Sequence, residues 1–479
     1  MENEVKTKIV DSSKKPKRKK HFITEPLGLL FIIVLIAAVC TYFVPAGIFD
    51  RVEVVETGRI IVVADSFHNV EQTPVKFFDV FKSIPVGMGE AGYIMFFLFI
   101  IGGTFSVMEA TGAINVALST VVKKMAGKET LLIPVVMFVF SVGGTLMGLA
   151  EETLAFLPFI LSVCISLGFD SITAAAICLL GAGAGFAGAT TNPFTIGVAQ
   201  GIAGLPLFSG MGLRFAIYIT LVVTGIAYVY RYAKIIKNDP TKSLMYEQDK
   251  LLEVHVDTEN IPQFTSRHKL VLITFGLGML GVVIGVMKFG FYIDELSAIF
   301  VIIAVVSGII GGLGVDEIAR EFTKGAGNFI FPALIVGVSR AITVVLTQGN
   351  IMDTIIYGLS TIVNVLPSSL TALGMFVVQS IISFIIPSGS GQAALTMPIM
   401  APLADMVGVT RQTTVLGFQF ADAFSNNLTP TSSEFMAAIA LCKIPWAKWA
   451  KWFMPLFITW NIIAIVFILI SVAIGYGPF

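Results

Sequence analysis

The chain of 479 residues is 56% hydrophobic and 13% charged, with a mean hydropathy of +0.88 and a formal net charge of zero. A soluble domain carries about 25% charge, so this composition excludes a soluble globular protein, and the neutral balance implies neither a nucleic-acid footprint nor an acidic partner. The length has room for roughly ten spans of about 20 residues each, which makes the chain an all-α polytopic membrane protein.

Residues 1–26 carry the basic run KKPKRKK (14–20), followed by LGLLFIIVLIAAVCTYFV. The apolar run is too long for a signal peptide and no small-residue cleavage site follows. The tail is therefore expected in the cytoplasm, with 27–45 as the first outward span under the positive-inside rule. Residues 46–90 read as an acidic external loop and 93–111 as the return span. Lys123, Lys124 and Lys128 then fall inside, on a stretch suited to lie along the interface. The apolar stretch 130–167 is too long for one span and both its flanks are cytoplasmic, which a re-entrant hairpin fits, its tip near GGTLMGLAEE (143–152). Residues 172–210 run outward through the polar break GATTNPFT (188–195), and 213–233 come back, closing a first membrane half over 27–233. The hydrophilic segment 234–268 is a cytoplasmic linker without a readable motif.

The second half, 269–479, begins with spans near 269–287, 293–313 and 328–347. A hairpin over 369–406 enters from outside, and a broken helix over 410–442 runs inward through SNNLTPTS (425–432). Residues 453–475 lead out, and Lys443, Lys448 and Lys451 land inside. The two hairpins thus enter from opposite faces, as an inverted repeat requires. Pro158 and Pro398, Gly168 and Gly408, and Thr173 and Thr413 are each 240 residues apart, and TGAI (111–114) matches QGNI (348–351) at an offset of 237.

Proline removes a backbone donor and clashes with the preceding turn, so Asn192-Pro193 and Thr429-Pro430 are each expected to end one helix and start another, with Asn or Thr as N-cap and Pro as first helical residue. Irregular backbone at membrane depth persists only where it lines a cavity. Half-helix N-termini offer positive dipole ends, and freed carbonyls can hold a small cation. Thr190, Thr191, Asn192, Asn426, Asn427, Thr429, Thr431 and Ser432 are therefore expected at a substrate site, with coupling-ion contacts open to the backbone around Asn192 and Thr429. The plainer alternative is a pair of proline kinks satisfied by nearby hydroxyls. Two breaks, each after a hairpin-like segment, favour the site. Ser388, Gly389, Ser390 and Gln392 in PSGSGQ join it, because small residues at a hairpin tip let backbone approach a ligand. The G-x-G-x-x-G within GAGAGFAG (181–188) lies in an apolar run and not between a strand and a helix, so it reads as close helix packing.

Glu109, Glu151, Glu152, Arg340, Asp422 and Glu434 fall at or near membrane depth, where a charge costs about 3 kcal/mol or more unless paired or hydrated. Glu151 and Glu152 occupy the first tip, where the residues 240 later are Gly391 and Gln392. That acidic asymmetry suits a cation, a proton or a substrate ammonium group. Glu151, Glu152 and Asp422 complete the substrate-binding set, whereas Glu434 is also simply favourable in the first turn of a helix. Glu109 and Asp422 have an alternative structural role as counter-charges to Arg340. Cys40, Cys164, Cys178 and Cys442 show no paired spacing, and His21, His68, His255 and His268 lie outside the apolar runs. No disulfide, resident metal or cofactor is implied; a non-transporting polytopic membrane enzyme or scaffold stays open as the lesser alternative, since no nucleophile and base pair points to an enzyme and a scaffold has no need of polar hairpin tips. Coupling by sodium, a proton or a counter-substrate stays open.

The segments GATTNPFTIGVAQGIAGLP, SNNLTPTSSEFMAAIALCKIP and PSGSGQAALTMPIMAPLAD resemble the YfcC family, relatives of the DcuC-type C4-dicarboxylate anaerobic carriers in the ion transporter superfamily. The resemblance covers nearly the whole chain. It implies a scaffold plus a transport domain of two opposed hairpins and two broken helices, a homodimer in a bacterial inner membrane, and an elevator-like movement. It also implies secondary transport of either C4-dicarboxylates or basic amino acids, such as arginine exchanged for ornithine. The excess of acids over bases at the candidate site, with Arg340 as the deep basic residue, favours amino acids.

Overall fold

The computed structural model describes residues 26–54, 59–125, 127–252, 264–289, 291–364 and 368–477. The basic run at 14–20 and the middle of the linker lie outside these residues. Apolar sequence in lipid must satisfy its backbone within itself, so helices dominate. The first half comprises α1 (Pro26–Phe43), α2 (Phe77–Glu90), α3 (Gly92–Ala110), α4 (Ala113–Met125), α5 (Leu132–Met147), α6 (Thr153–Ser166), α7 (Ser171–Ala187), α8 (Ile196–Ile202) and α9 (Met211–Asn238). After the short α10 (Tyr246–Asp249), the second half comprises α11 (Ser266–Ile284), α12 (Ile293–Gly311), α13 (Val315–Asn328), α14 (Ile330–Gln348), α15 (Met352–Asn364), α16 (Ser368–Ile385), α17 (Gly389–Met406), α18 (Arg411–Ser425), α19 (Ser433–Leu441) and α20 (Trp446–Ala473). Six helices among the described residues are long and apolar enough to cross a membrane: α3, Glu129–Met147, α9, α12, α14 and α20.

Part of the expected external loop 46–90 is helical. The apolar face of α2 buries Val80, Ser83 and Gly87, and Gly87 lies so close to α14 that an added Cβ would meet Ala341 N at 2.6 Å. Asp79 and Lys82 on its polar side keep its overall hydropathy below that of a span, which is why the segment reads as loop. Ahead of it, β1 (Gly47–Ile48) pairs antiparallel with β4 (His68–Asn69), and β2 (Arg51–Val54) with β3 (Arg59–Val62), Arg51 opposite Val62. Arg51 holds Asp353 of α15 through two bonds of 2.8 and 2.9 Å.

Corresponding elements of the two halves pack alike. α2 lies on α14 and α13 on α3; α5 and α6 both pack on α7, as α16 and α17 do on α18; and α6 reaches α19 as α17 reaches α8. Helix α2 ends at Glu90 and α13 at Asn328, while α3 and α14 start at Gly92 and Ile330, each pair 238 apart. Gly112 and Asn350, both left-handed at φ +77° and +50°, share that offset. The match of TGAI with QGNI is therefore off by one residue, because the left-handed position and not the shared glycine marks the equivalent turn. The 240-residue register does recur: Gly168 and Gly408 both have positive φ, and Asp170 and Thr410 each cap the next helix by accepting from Thr173 N and Thr413 N.

Candidate functional site

Helix α5 ends in left-handed Gly148, where a Cβ would lie 2.5 Å from Asn192 Oδ1. The turn that follows is tied by Ala150 N donating to Glu152 Oε2 at 3.0 Å and Thr153 Oγ1 to Ala150 O at 2.6 Å. This presents Glu151 and Glu152 just before α6. The second tip is built differently, since Ser388 caps α17 by accepting from Gly391 N. Helix α17 begins one turn earlier in register than α6, so Gly391 and Gln392 are helical where Glu151 and Glu152 form a turn. Gln392 faces away from the tip and donates to Gln379 O and Oε1 at 2.9 and 2.7 Å.

The breaks sit beside these tips, with caps that differ from the expectation. Helix α8 starts at Ile196, and Asn192 Oδ1 accepts instead from Phe194 N and Thr195 N, capping a separate turn that contains Pro193. Helix α19 starts after Ser432, not after Thr429, because Thr429 N still donates to Ser425 O and extends the end of α18. Thr190 N and Thr191 N both donate to Thr145 O, at 3.1 and 3.2 Å, and so serve the open C-terminal carbonyls of α5. Thr431 Oγ1 donates to Phe384 O at 2.6 Å, and Asn427 Nδ2 to Ala423 O at 2.8 Å.

The carbonyls freed at the breaks are taken by side chains that sequence reasoning did not single out. Arg214 of α9 is buried, and donates to Ala189 O, Thr190 O, Phe208 O and Ser209 O. Trp446 and Trp449 of α20 donate to Leu428 O and Asn427 O at 2.8 and 2.9 Å. Arg214 is thus the deep base. Arg340 is partly exposed, and its counter-charge is Glu90 at 2.9 Å, neither Glu109, which is exposed, nor Asp422.

Between the tips lies a cavity of about 180 Å³ lined by Glu90, Tyr93, Glu151, Glu152, Tyr292, Arg340 and Glu434, with Ser388, Gly389, Ser390, Asn426, Thr431, Thr195 and Ser433. The rings of Tyr93 and Tyr292 stand 6.1 Å apart. Of the expected site residues, Glu151, Glu152, Ser388, Gly389, Ser390, Asn426 and Thr431 line this cavity; Thr190, Thr191, Asn192, Gln392, Asp422, Asn427, Thr429 and Ser432 do not. Asn427 instead borders a smaller cavity that shares Asn426 and Glu434. Glu90, Tyr93, Tyr292 and Thr195 were missed. The one available signal was Arg340, whose charge required a partner that the elbow between α2 and α3 supplies. Four acidic side chains and one guanidinium, itself paired with Glu90, thus share the cavity wall.

The sequence profile of the C4-dicarboxylate anaerobic carriers, DcuC, matches residues 24–473. The chain belongs to the DcuC family. This is a transporter family, and its apolar helices mark the chain as a multi-pass membrane protein. Within reach of the same DcuC membership, the chain is 34% identical to the Escherichia coli (strain K12) protein named "Putative basic amino acid antiporter YfcC", over 91% of this chain and 94% of that one. It is 31% identical to an uncharacterized protein of Haemophilus influenzae over 93% and 96% of the two chains. Solved structures with a similar trace include the Alcanivorax borkumensis YdaH transporter, at 15% identity and TM-score 0.40 over 95% of this chain and all of that one. Neisseria gonorrhoeae MtrF is similar at 16% identity and TM-score 0.39, over 94% and 95%.

Proposed function

We propose that this member of the DcuC family is a secondary carrier for amino acids, exchanging basic ones across the cell membrane. The observation that carries this reading is the charge of the cavity, where Glu90, Glu151, Glu152 and Glu434 face a single guanidinium already paired with Glu90. A guanidinium or ammonium group belongs among those carboxylates, with Tyr93 and Tyr292 offering ring faces to it. The substrate carboxylate belongs at Ser388, Gly389 and Ser390, where α17 begins and its dipole is positive. The name of the Escherichia coli relative agrees with a basic amino acid, whereas the family description names C4-dicarboxylates. A dicarboxylate is the second reading; it needs Arg340 released from Glu90.

In this reading the hairpins α5–α6 and α16–α17 are re-entrant from opposite faces, the tail is cytoplasmic, and the hairpins with both broken helices move as one body against a scaffold in a homodimer. The shared packing of α5 and α6 on α7 and of α16 and α17 on α18 supports two equivalent halves within that one body. Counterflow in proteoliposomes tests the function. Arginine or ornithine inside should drive saturable uptake of labelled arginine, with succinate ineffective. Uptake driven by dicarboxylates alone moves the assignment to the second reading, and no saturable uptake of either class sinks both.

A further inference from the structure

We propose that a groove along α14, from Gln348 to Arg340, is the entrance by which a substrate reaches the cavity, with the Arg340–Glu90 pair as its neck. This rests on the reading of the chain as a carrier, but not on which substrate is carried. The cavity does not end at the pair. Glu90, Arg340 and Thr343 also line a groove of about 460 Å³ that continues past Thr347 to Gln348. From Gln348 a second groove of about 410 Å³ runs on beside Thr73, Lys76 and Asp79. Arg340 lies about 12 Å along the helix from Gln348, at about 1.5 Å per residue, so the passage leads from one end of the span Ile330–Gln348 to its middle.

The lining suits a passage filled with water. Arg340, Thr343 and Thr347 are spaced by three and then four residues, which puts them on one face of α14, whereas Ile342, Val345 and Leu346 are buried. Polar groups at membrane depth are costly against lipid and belong beside water or protein. The rim is fixed in place: Thr73 Oγ1 donates to Gln348 O at 3.3 Å, and Asn350 Nδ2 donates to Thr73 Oγ1 at 3.1 Å. Between rim and neck, Thr343, Thr347 and Gln348 are uncharged and reject neither sign of solute. Selection by charge therefore falls to the neck, where Arg340 Nε and Glu90 Oε2 are 2.9 Å apart. Both partners are partly exposed, so water replaces each at little cost and the pair can part as a solute passes.

Among the described residues, the counterpart of this groove in the first half is filled. At the offset of 238 that relates α3 to α14, Arg340 corresponds to Gly102, where an added Cβ would strike the ring of Phe329 and meet Gly325 O at 2.7 Å. Thr343 corresponds to Phe105, which packs edge-on against Phe275 with ring centroids 5.7 Å apart. Aromatic rings thus occupy along α3 the place that stays open along α14. A carrier of two opposed halves that is open to one face must be closed at the counterpart, and the rim residues Thr73, Lys76 and Asp79 belong to the segment expected outside.

The test places single thiols along the groove. Thr347→Cys and Thr343→Cys are made in a Cys40→Ser background, since Cys164, Cys178 and Cys442 are buried. Intact cells are treated with a membrane-impermeant trimethylammonium methanethiosulfonate, the thiols left unmodified are counted, and the recovered protein is reconstituted for arginine counterflow. Both positions should be modified from outside, Thr347→Cys faster than the deeper Thr343→Cys, while Ile342→Cys, buried on the same helix, should not react. Modified Thr347→Cys should lose the counterflow that the same protein shows before modification. Should Thr347→Cys fail to fold, Gln348→Cys takes its place at the mouth. The proposal is overturned by labelling that occurs only after the cells are permeabilised, by equal labelling of Ile342→Cys, or by counterflow undiminished after complete modification. Counterflow that runs on succinate and not on arginine, yet is still lost on modification, would overturn only the proposed substrate and leave the entrance standing.

Discussion

Arg214 Nε donates to the carbonyl oxygen of Ala189 at 2.7 Å, so the first helix break is held by a buried cation that belongs to the chain. At the second break the equivalent work falls to Trp449, whose indole donates to Asn427 O at 2.9 Å. Both side chains come from the first turns of the long helices that follow the breaks, α9 and α20. One break is thus pinned by a charge and the other by neutral donors.

Loss of Arg214 should be the more damaging of the two. Arg214→Ala strands the carbonyls of Ala189, Thr190 and Phe208, each at a cost of about 1–3 kcal/mol, although Ser209 O keeps Gln200 Nε2 as a donor, while Trp449→Phe strands one and keeps most of the packing. The melting temperature of purified Arg214→Ala should fall well below that of Trp449→Phe, and Arg214→Lys should not restore it, because an ammonium lacks the planar fork. Equal effects of the two substitutions would show that Arg214 does not organise the break.

Much of this architecture was legible beforehand, and the exceptions have physical causes. The non-helical stretches at Asn192-Pro193 and Thr429-Pro430 and the 240-residue spacing of Gly168 and Gly408 follow from prolines and glycines, which act locally. The orientation of side chains at the breaks does not: Asn192 and Gln392 look alike in sequence to any polar tip residue, yet one caps a turn and the other bonds Gln379 within its own hairpin. Tyr93 and Tyr292 gave no signal because they reach the cavity from elements whose approach only the three-dimensional packing fixes, and for Glu90 the charge of Arg340 was the sole hint.

The glycine-rich run in α7 works by close approach, and single substitutions should separate it from permissive glycines. A Cβ on Gly181 would meet Met137 O at 3.0 Å, and one on Gly185 would overlap Ser141 O of α5 outright. Because backbone cannot yield as a side chain does, Gly185→Ala should destabilise the protein by about 1–3 kcal/mol. Gly212 near the start of α9 has nothing within 4 Å of such a Cβ. Gly212→Ala should be neutral or gain up to about 1 kcal/mol from helix propensity, which thermal unfolding of the two variants side by side would reveal.

Glu434 and Gln392 make a second contrast, one in the cavity wall and one turned from it. Glu434→Gln removes a charge that faces the proposed cationic group, and should weaken arginine binding by tenfold or more, with tenfold corresponding to about 1.4 kcal/mol. Gln392→Ala should leave that affinity close to the parent while lowering the melting temperature, since its bonds run to Gln379. Isothermal titration with arginine, beside a melting curve for each variant, distinguishes them; affinity loss in Gln392→Ala alone would reverse the two assignments.

Arg340 and Glu90 join α14 to the end of α2 across the cavity wall, and both are about 40% exposed. A pair this open contributes at most about 1 kcal/mol to stability, so its value lies in setting the sign of the cavity. Glu90→Gln frees the guanidinium and removes one of the four acids, which should weaken arginine binding and let succinate bind detectably. Arg340→Ala removes the positive charge instead and should tighten arginine binding while leaving succinate excluded. Neither substitution should move the melting temperature far. Competition of succinate against labelled arginine in the two variants reads the outcome: identical inhibition profiles would mean that the pair does not govern selectivity, and charge discrimination would then rest with Glu151, Glu152 and Glu434 alone.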